Sequence, residues 1–306
     1  MKWSDKAIAL RLVPFSENKL RLTVLTYENG CQTGLLTLSK RESAVQIGDY
    51  LTVTWNARLS EHLGRFQIER LNSPAPRLFD DSWRLWLLQN ACGLMAALPD
   101  RHPYAVLYDA LYTFTQNLAI YCAEQGFAQM TLLEKLILAE LGFGIDLLVC
   151  CVTGQNHDLI YLSPKSGRAV SKTAGEPYKE KLFALPSFWL DLTDGPEDGM
   201  NKERYVHVFL NPDTSLCNPR ARPEDLDLRI KSKDDKEEKF AHSAKDEANK
   251  ANYQNIWTKS VDLNWKDILA AFNITDYFWR KWLLDDKHNF PRVRQSIIKY
   301  CEKRAG

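Results

Sequence analysis

Five short segments in the first eighty or so residues alternate apolar and polar side chains with a period of two, and the rest of the chain reads mainly as helix. Ala7–Val13 sets Ile8, Leu10 and Leu12 against Arg11, and Leu20–Tyr27 sets Leu20, Leu22 and Val24 against Arg21 and Thr23. Thr33–Ser39 follows the turn signal Glu28-Asn29-Gly30. In Leu51–Arg58, Leu51, Val53 and Trp55 face inward while Thr52, Thr54, Asn56 and Arg58 face outward, and Arg65–Leu71 completes the set. Five such strands in this length fit an OB-type barrel, although an SH3-like barrel would show much the same pattern. Asn72-Ser73-Pro74-Ala75-Pro76 then breaks the pattern. The expected architecture is multidomain β + α, with an N-terminal OB-type β-barrel over 1–79 and a mainly helical C-terminal domain over 80–306.

The helical part opens with Asp80–Leu98, where Leu85, Leu88, Cys92 and Met95 share a side and Pro99 ends the run. Trp83 and Trp86 are read as packing residues. Tyr104–Gln125, closed by Gly126, and Phe127–Leu141, closed by Gly142, are the next predicted helices. Residues 150–192 form a small loop-rich subdomain. A charged insertion covers about 194–266, and within it Lys231–Lys250 mixes both signs with few apolar residues, too few to offset ordering entropy. Residues 196–262 are therefore expected to be dispensable for the fold. Helical pattern returns at Trp265–Leu284, and Phe290–Lys303 is a basic amphipathic helix.

Composition narrows function by exclusion. The formal net charge of the 306 residues is +1, so no global field argues for nucleic acid or membrane. The distribution is less even: residues 1–79 hold eleven Lys and Arg against seven Asp and Glu. Met1-Lys2-Trp3-Ser4-Asp5 has no apolar core, so no secretory signal is expected, and the seven cysteines are expected to be reduced. No HExxH or Gly-x-Ser-x-Gly pattern is present. Cys150 or Cys151 with His157 is the least bad catalytic pair, and buried cysteines are usually inert, so no enzyme is expected. Lys165-Ser166-Gly167-Arg168 resembles a phosphate-contacting loop but lacks the P-loop pattern, and a structural turn is the plainer reading. Lys19, Arg21, Lys40, Arg41, Arg58 and Arg65 are the best candidate phosphate contacts as a set on one barrel face, with Tyr27 and Tyr50 as candidate stacking residues.

Glu140-Leu141-Gly142-Phe143-Gly144-Ile145-Asp146-Leu147 followed by Cys151-Val152-Thr153-Gly154, and the run Asp158 to Ser171, resemble the bacterial RecO family in its alphaproteobacterial form. Trp3-Ser4-Asp5, Asn29-Gly30, Trp55-Asn56-Ala57-Arg58-Leu59, Leu98-Pro99-Asp100-Arg101-His102-Pro103 and Pro291-Arg292-Val293-Arg294 agree with it. The resemblance covers about 1–192 and 267–304. It implies a cytoplasmic, nucleoid-associated DNA repair and recombination mediator with an OB domain and a helical domain. Such a protein binds single- and double-stranded DNA, anneals complementary strands, binds the tail of single-strand binding protein, and works with RecR to load RecA. A basic rim for that acidic tail is expected at Arg84, Arg101, Lys135, Arg292 and Arg294. Some family members carry four cysteines as a zinc knuckle. Here Cys150 and Cys151 are adjacent and the other ligand positions fall around Gly154, Ser171 and Gly175, so no metal and no other cofactor is expected. The rival reading is a protein-interaction adaptor whose barrel is only a docking module.

Overall fold

The computed structural model describes residues 1–37, 45–59, 63–190, 263–283 and 293–306. Lys40, Arg41 and Arg292, and the segment 191–262 with Lys231–Lys250, lie outside the described residues. The N-terminal part is a closed barrel of β1 (Lys2–Ser16), β2 (Lys19–Thr26), β3 (Gly30–Thr37), β4 (Tyr50–Asn56) and β5 (Arg65–Asn72) in the order β1-β2-β3-β5-β4. All pairings are antiparallel except the short β3–β5 seam at Leu35↔Arg65 and Leu36↔Phe66. That is the OB order, and full closure removes the edges that an open five-stranded sheet would expose.

Leu22, Val24, Leu51, Val53, Trp55 and Phe66 fill the barrel interior, as the alternation requires. β1 departs from it. Ala7 and Ala9 point into the barrel, while Ile8 and Leu10 join the core of the helical domain. The register explains why Leu12 nevertheless packs on the barrel side. Ala9 opposes Val24 and Arg11 opposes Thr23, so Leu10 is an extra residue in β1 and the strand's facing inverts there. A strand buried on both faces carries no alternation to read.

The helical domain begins with a short 3-10 turn at Ala75–Leu78 and contains α1 (Ser82–Met95), α2 (Ala105–Asn117), α3 (Ala123–Glu140), α4 (Lys172–Gly175), α5 (Ser187–Leu190), α6 (Trp265–Trp282) and α7 (Arg294–Ala305). The expected break at Gly126 is not where the chain breaks. α2 ends at Asn117 and α3 starts at Ala123, where the Cys122 backbone N–H donates to Gln125 Oε1 at 3.3 Å. Gly126 lies inside α3 because a Cβ there would come within 2.7 Å of the Trp83 ring, so the glycine serves helix packing rather than helix ending. The subdomain expected to be loop-rich holds a small sheet, β7 (Ala169–Ser171), β6 (Leu159–Leu162) and β8 (Phe183–Ala184) in that order. Its strands are too short to show a period. One core runs from Ile8, Leu10, Leu25, Cys31 and Tyr50 of the barrel into the helices, which makes barrel and body a single packed unit. The flanks of segment 191–262 are held together: the Ser187 backbone N–H and hydroxyl donate to Asp267 Oδ2 at 3.0 and 2.5 Å. Cys31, Cys92, Cys150, Cys151 and Cys301 are free thiols. Cys122 is disulfide-bonded, a departure from the expectation of reduced cysteines, and Cys217 lies outside the described residues. No helix among the described residues is long and apolar enough to cross a membrane.

Candidate nucleic-acid interface

The register gathers three charges into one line. Val13 opposes Arg21, Arg21 opposes Leu35, Leu35 opposes Arg65, Arg65 opposes Asn56, and Asn56 opposes Lys2. Paired residues share a face, and Arg21, Arg65, Asn56 and Lys2 are exposed. With strands about 4.8 Å apart, the Arg21 and Arg65 backbones stand roughly 10 Å apart with Leu35 between them. Lys19, opposite Thr37, extends the line along β2. Arg58 enters through the β4–β5 connection, because an open groove of about 980 Å³ over the β3–β5 seam is lined by Arg58 and Arg65 together with Leu35, Thr37, Asn56, Leu63, Phe66 and Gln67. None of Lys19, Arg21, Arg58 and Arg65 pairs with a described carboxylate, whereas Arg70 on the same barrel binds the buried Asp49 at 3.5 Å. Cations without a carboxylate beside a concave, part-apolar surface suit a phosphate backbone whose bases need an apolar contact. Leu35, Asn56, Phe66 and Gln67 were not candidates on sequence. Asn56 reads as outward-facing and Phe66 belongs to the barrel core, but the β3–β5 closure that brings all four to the arginines leaves no mark in the sequence.

Both expected stacking residues have other work. Tyr50 is buried and its hydroxyl bonds Thr115 and the Tyr112 carbonyl of α2, so it cannot meet a base. Tyr27 is 42% exposed but stands edge-on to Tyr108 at 5.4 Å, at the junction with the helical domain. Lys165-Ser166-Gly167-Arg168 is the β6–β7 hairpin turn. The Gly167 N–H donates to the Ser163 carbonyl at 2.9 Å, and the carbonyls of Pro164 and Lys165 accept from Lys281 Nζ at 2.7 and 3.0 Å. A turn that presents carbonyls is no anion cradle.

The partner rim expected in the helical domain is not assembled as such. Lys135 is 2% exposed, with its amine 4.4 Å from the Trp189 ring centre, and burial brings its ammonium down to about 7. Arg294 is 2% exposed and bonds Glu134, the Phe272 carbonyl, Thr275 and Asp276. Both correct the expectation of surface charges. Their partners come from other helices, and amphipathic spacing gives faces, not the packing between them. Arg84 is held by Asp81 at 2.9 Å and by the Leu118 carbonyl, over the Trp83 ring. Arg101 is exposed, in a left-handed turn at the barrel junction.

Around the adjacent cysteines, Cys150 Sγ accepts from the N–H groups of Thr153 and Ser171 at 3.4 and 3.2 Å. Burial works to raise this thiol, but those bonds together outweigh it and bring it down to about 6. Cys151 is exposed. Among the described residues no group of three or more His, Cys, Asp and Glu is placed to hold a metal ion.

The family model for the N-terminal part of recombination protein O matches residues 1–74, and that for its C-terminal part matches residues 72–194. Their meeting point coincides with the end of β5 at Asn72. The DNA repair protein RecO of Bartonella tribocorum is 40% identical over 204 residues, which is 65% of this chain and 80% of the relative. That of Mesorhizobium japonicum is 39% identical over 191 residues, 61% of this chain and 75% of the relative. That of Methylobacterium nodulans is 38% identical over 244 residues, 75% and 97% respectively. With a five-stranded barrel, a helical body and relatives matched over most of their length, this chain belongs to the RecO family of DNA repair proteins.

Proposed function

We propose that the chain is a non-enzymatic recombination mediator acting in the cytoplasm at the nucleoid. It binds single- and double-stranded DNA, anneals complementary strands, and works with RecR and the tail of single-strand binding protein in loading RecA. The observation that carries the DNA part is the Arg21–Leu35–Arg65 line beside the Arg58 groove. The annealing and loading partners come from the family resemblance. The described lining of the groove offers cations and apolar side chains, so affinity is expected to rest on phosphate neutralisation and to fall steeply with salt.

The test replaces Arg21 and Arg65 together by Ala. Binding to any single strand should weaken, and the plot of log affinity against log salt should flatten by up to about two units, one per lost phosphate contact. An unchanged slope removes this line from the site. The apolar part of the groove, Leu35, Leu63 and Phe66, favours the rival adaptor reading, and salt separates the two: a docking surface for an apolar peptide would be nearly indifferent to it. A strand-annealing assay with and without single-strand binding protein then tests the mediator role.

We also propose that the protein works without zinc. Cys150 is satisfied by two backbone N–H groups, and structural zinc needs four well-placed ligands. Elemental analysis of tag-free protein should find far less than one zinc per chain, and about one per chain overturns the proposal.

A further inference from the structure

The β1–β2 hairpin carries a second irregularity that the helical domain does not use. Pro14 opposes Leu20 and Ser16 opposes Lys19, so Phe15 is an extra residue in β1 without an opposite number. A bulge of this kind takes a side chain out of the alternation and re-aims it. The ring is 57% exposed at the hairpin tip and belongs to neither core cluster. Beyond Ile8, β1 has no register with β4, so this end of the hairpin reaches past the β1–β4 ladder. Pro14 restricts the backbone before the bulge and the Ser16↔Lys19 pair restricts it after, so the backbone that carries the ring is already ordered. Across the hairpin the bulge lies opposite Lys19 and Leu20, and Lys19 and Arg21 are the first two cations of the line that continues through Leu35 to Arg65; the exposed Glu17 stands in the turn itself.

We infer that Phe15 is the base-stacking residue of this barrel: an unpaired nucleobase lies on its ring while Lys19 and Arg21 hold the adjoining phosphates. The inference rests on the DNA-binding reading above and adds to it the residue that meets an unstacked base. A duplex offers its phosphates to Lys19 and Arg21 but no free base face to Phe15. The ring therefore separates single from double strands, where the cations alone do not. Stacking needs only a π-face, so it brings no sequence preference.

The test uses the full chain and two probes of equal length, an oligo-dT strand and its abasic counterpart, which keeps the phosphates and lacks the bases. Phe15→Ala should weaken oligo-dT binding about tenfold, the loss of one base–aromatic stack, without changing the salt slope. It should leave abasic binding unchanged. Phe15→Trp should restore oligo-dT binding and add an indole signal that the oligonucleotide quenches. An equal loss on both probes, or no loss on oligo-dT, overturns the inference. Failure of the parent protein to bind either probe would instead overturn the DNA-binding reading. Melting curves of both variants, and the Trp rescue, separate misfolding from loss of the stack.

Discussion

Replacing Arg294 by Ala should cost the fold about 3–5 kcal/mol, the expected penalty for stranding a buried charge. Arg294 Nη1 donates to Glu134 Oε1, Nη2 donates to the Phe272 carbonyl at 3.1 Å and to Thr275 Oγ1 at 3.0 Å, and Nε faces Asp276 Oδ1 at 3.4 Å. Asn90 Nδ2 donates to the same Glu134 oxygen at 2.9 Å. One guanidinium thus ties α7 to α3 and α6, and through Glu134 to α1. Glu134 is wholly buried, so without Arg294 its carboxylate keeps, among the described residues, only the Asn90 amide. Chemical denaturation measures the loss. The double variant Arg294→Met with Glu134→Gln removes both charges and should recover most of the stability, because the cost lies in the unpaired charge more than in the lost bond. A single variant within about 1 kcal/mol of the parent would show that α7 does not depend on this pair.

The same residue shows where a sequence stops being legible. The basic face of Phe290–Lys303 reads as solvated because charges usually are. Arg294 is the exception because Glu134, 160 positions earlier, meets it across a helix–helix contact that spacing cannot reveal. Lys135 fails in the same way, its partner Trp189 coming from a short helix 54 positions later. The barrel was far more legible. Leu51, Val53 and Trp55 alternate against Thr52, Thr54 and Asn56, and a half-buried antiparallel strand leaves no other periodicity. It failed only at β1, where both faces are buried and a bulge at Leu10 inverts the facing. Of the candidate DNA contacts, Arg21 and Arg58 could be read as outward-facing. Their alignment with Arg65 depended on the β3–β5 closure, a long-range pairing of only two residues each side.

The Asn29-Gly30 turn was visible as punctuation, and the structure gives it a larger role. Gly30 has φ +69°, and a Cβ on it would lie 1.9 Å from the His102 carbonyl oxygen. That oxygen belongs to the backbone of the loop joining α1 to α2, which cannot rotate away as a side chain could. The loop is itself pinned, since the Arg101 N–H donates to the Cys31 carbonyl at 3.0 Å and Cys31 bridges Asp100. From the other side Asp5 Oδ2 accepts from the Glu28 N–H at 2.9 Å, the Asn29 N–H at 3.2 Å and Asn29 Nδ2 at 2.9 Å. The turn can therefore move toward neither neighbour without breaking bonds. Gly30→Ala combines the left-handed backbone cost of about 1 kcal/mol with a clash that must open the barrel–body junction. A total loss of about 3 kcal/mol or more is expected. Because Ile8, Leu25 and Cys31 share the core of the helices, the loss should appear as one cooperative transition at lower temperature, not as a separately melting barrel. Asn29→Ala serves as the comparison: it removes one side-chain bond to Asp5 and should cost only about 1 kcal/mol. If Gly30→Ala melts no lower than Asn29→Ala, the turn is not seated on His102, and the barrel is held to the helical body by its apolar contacts alone.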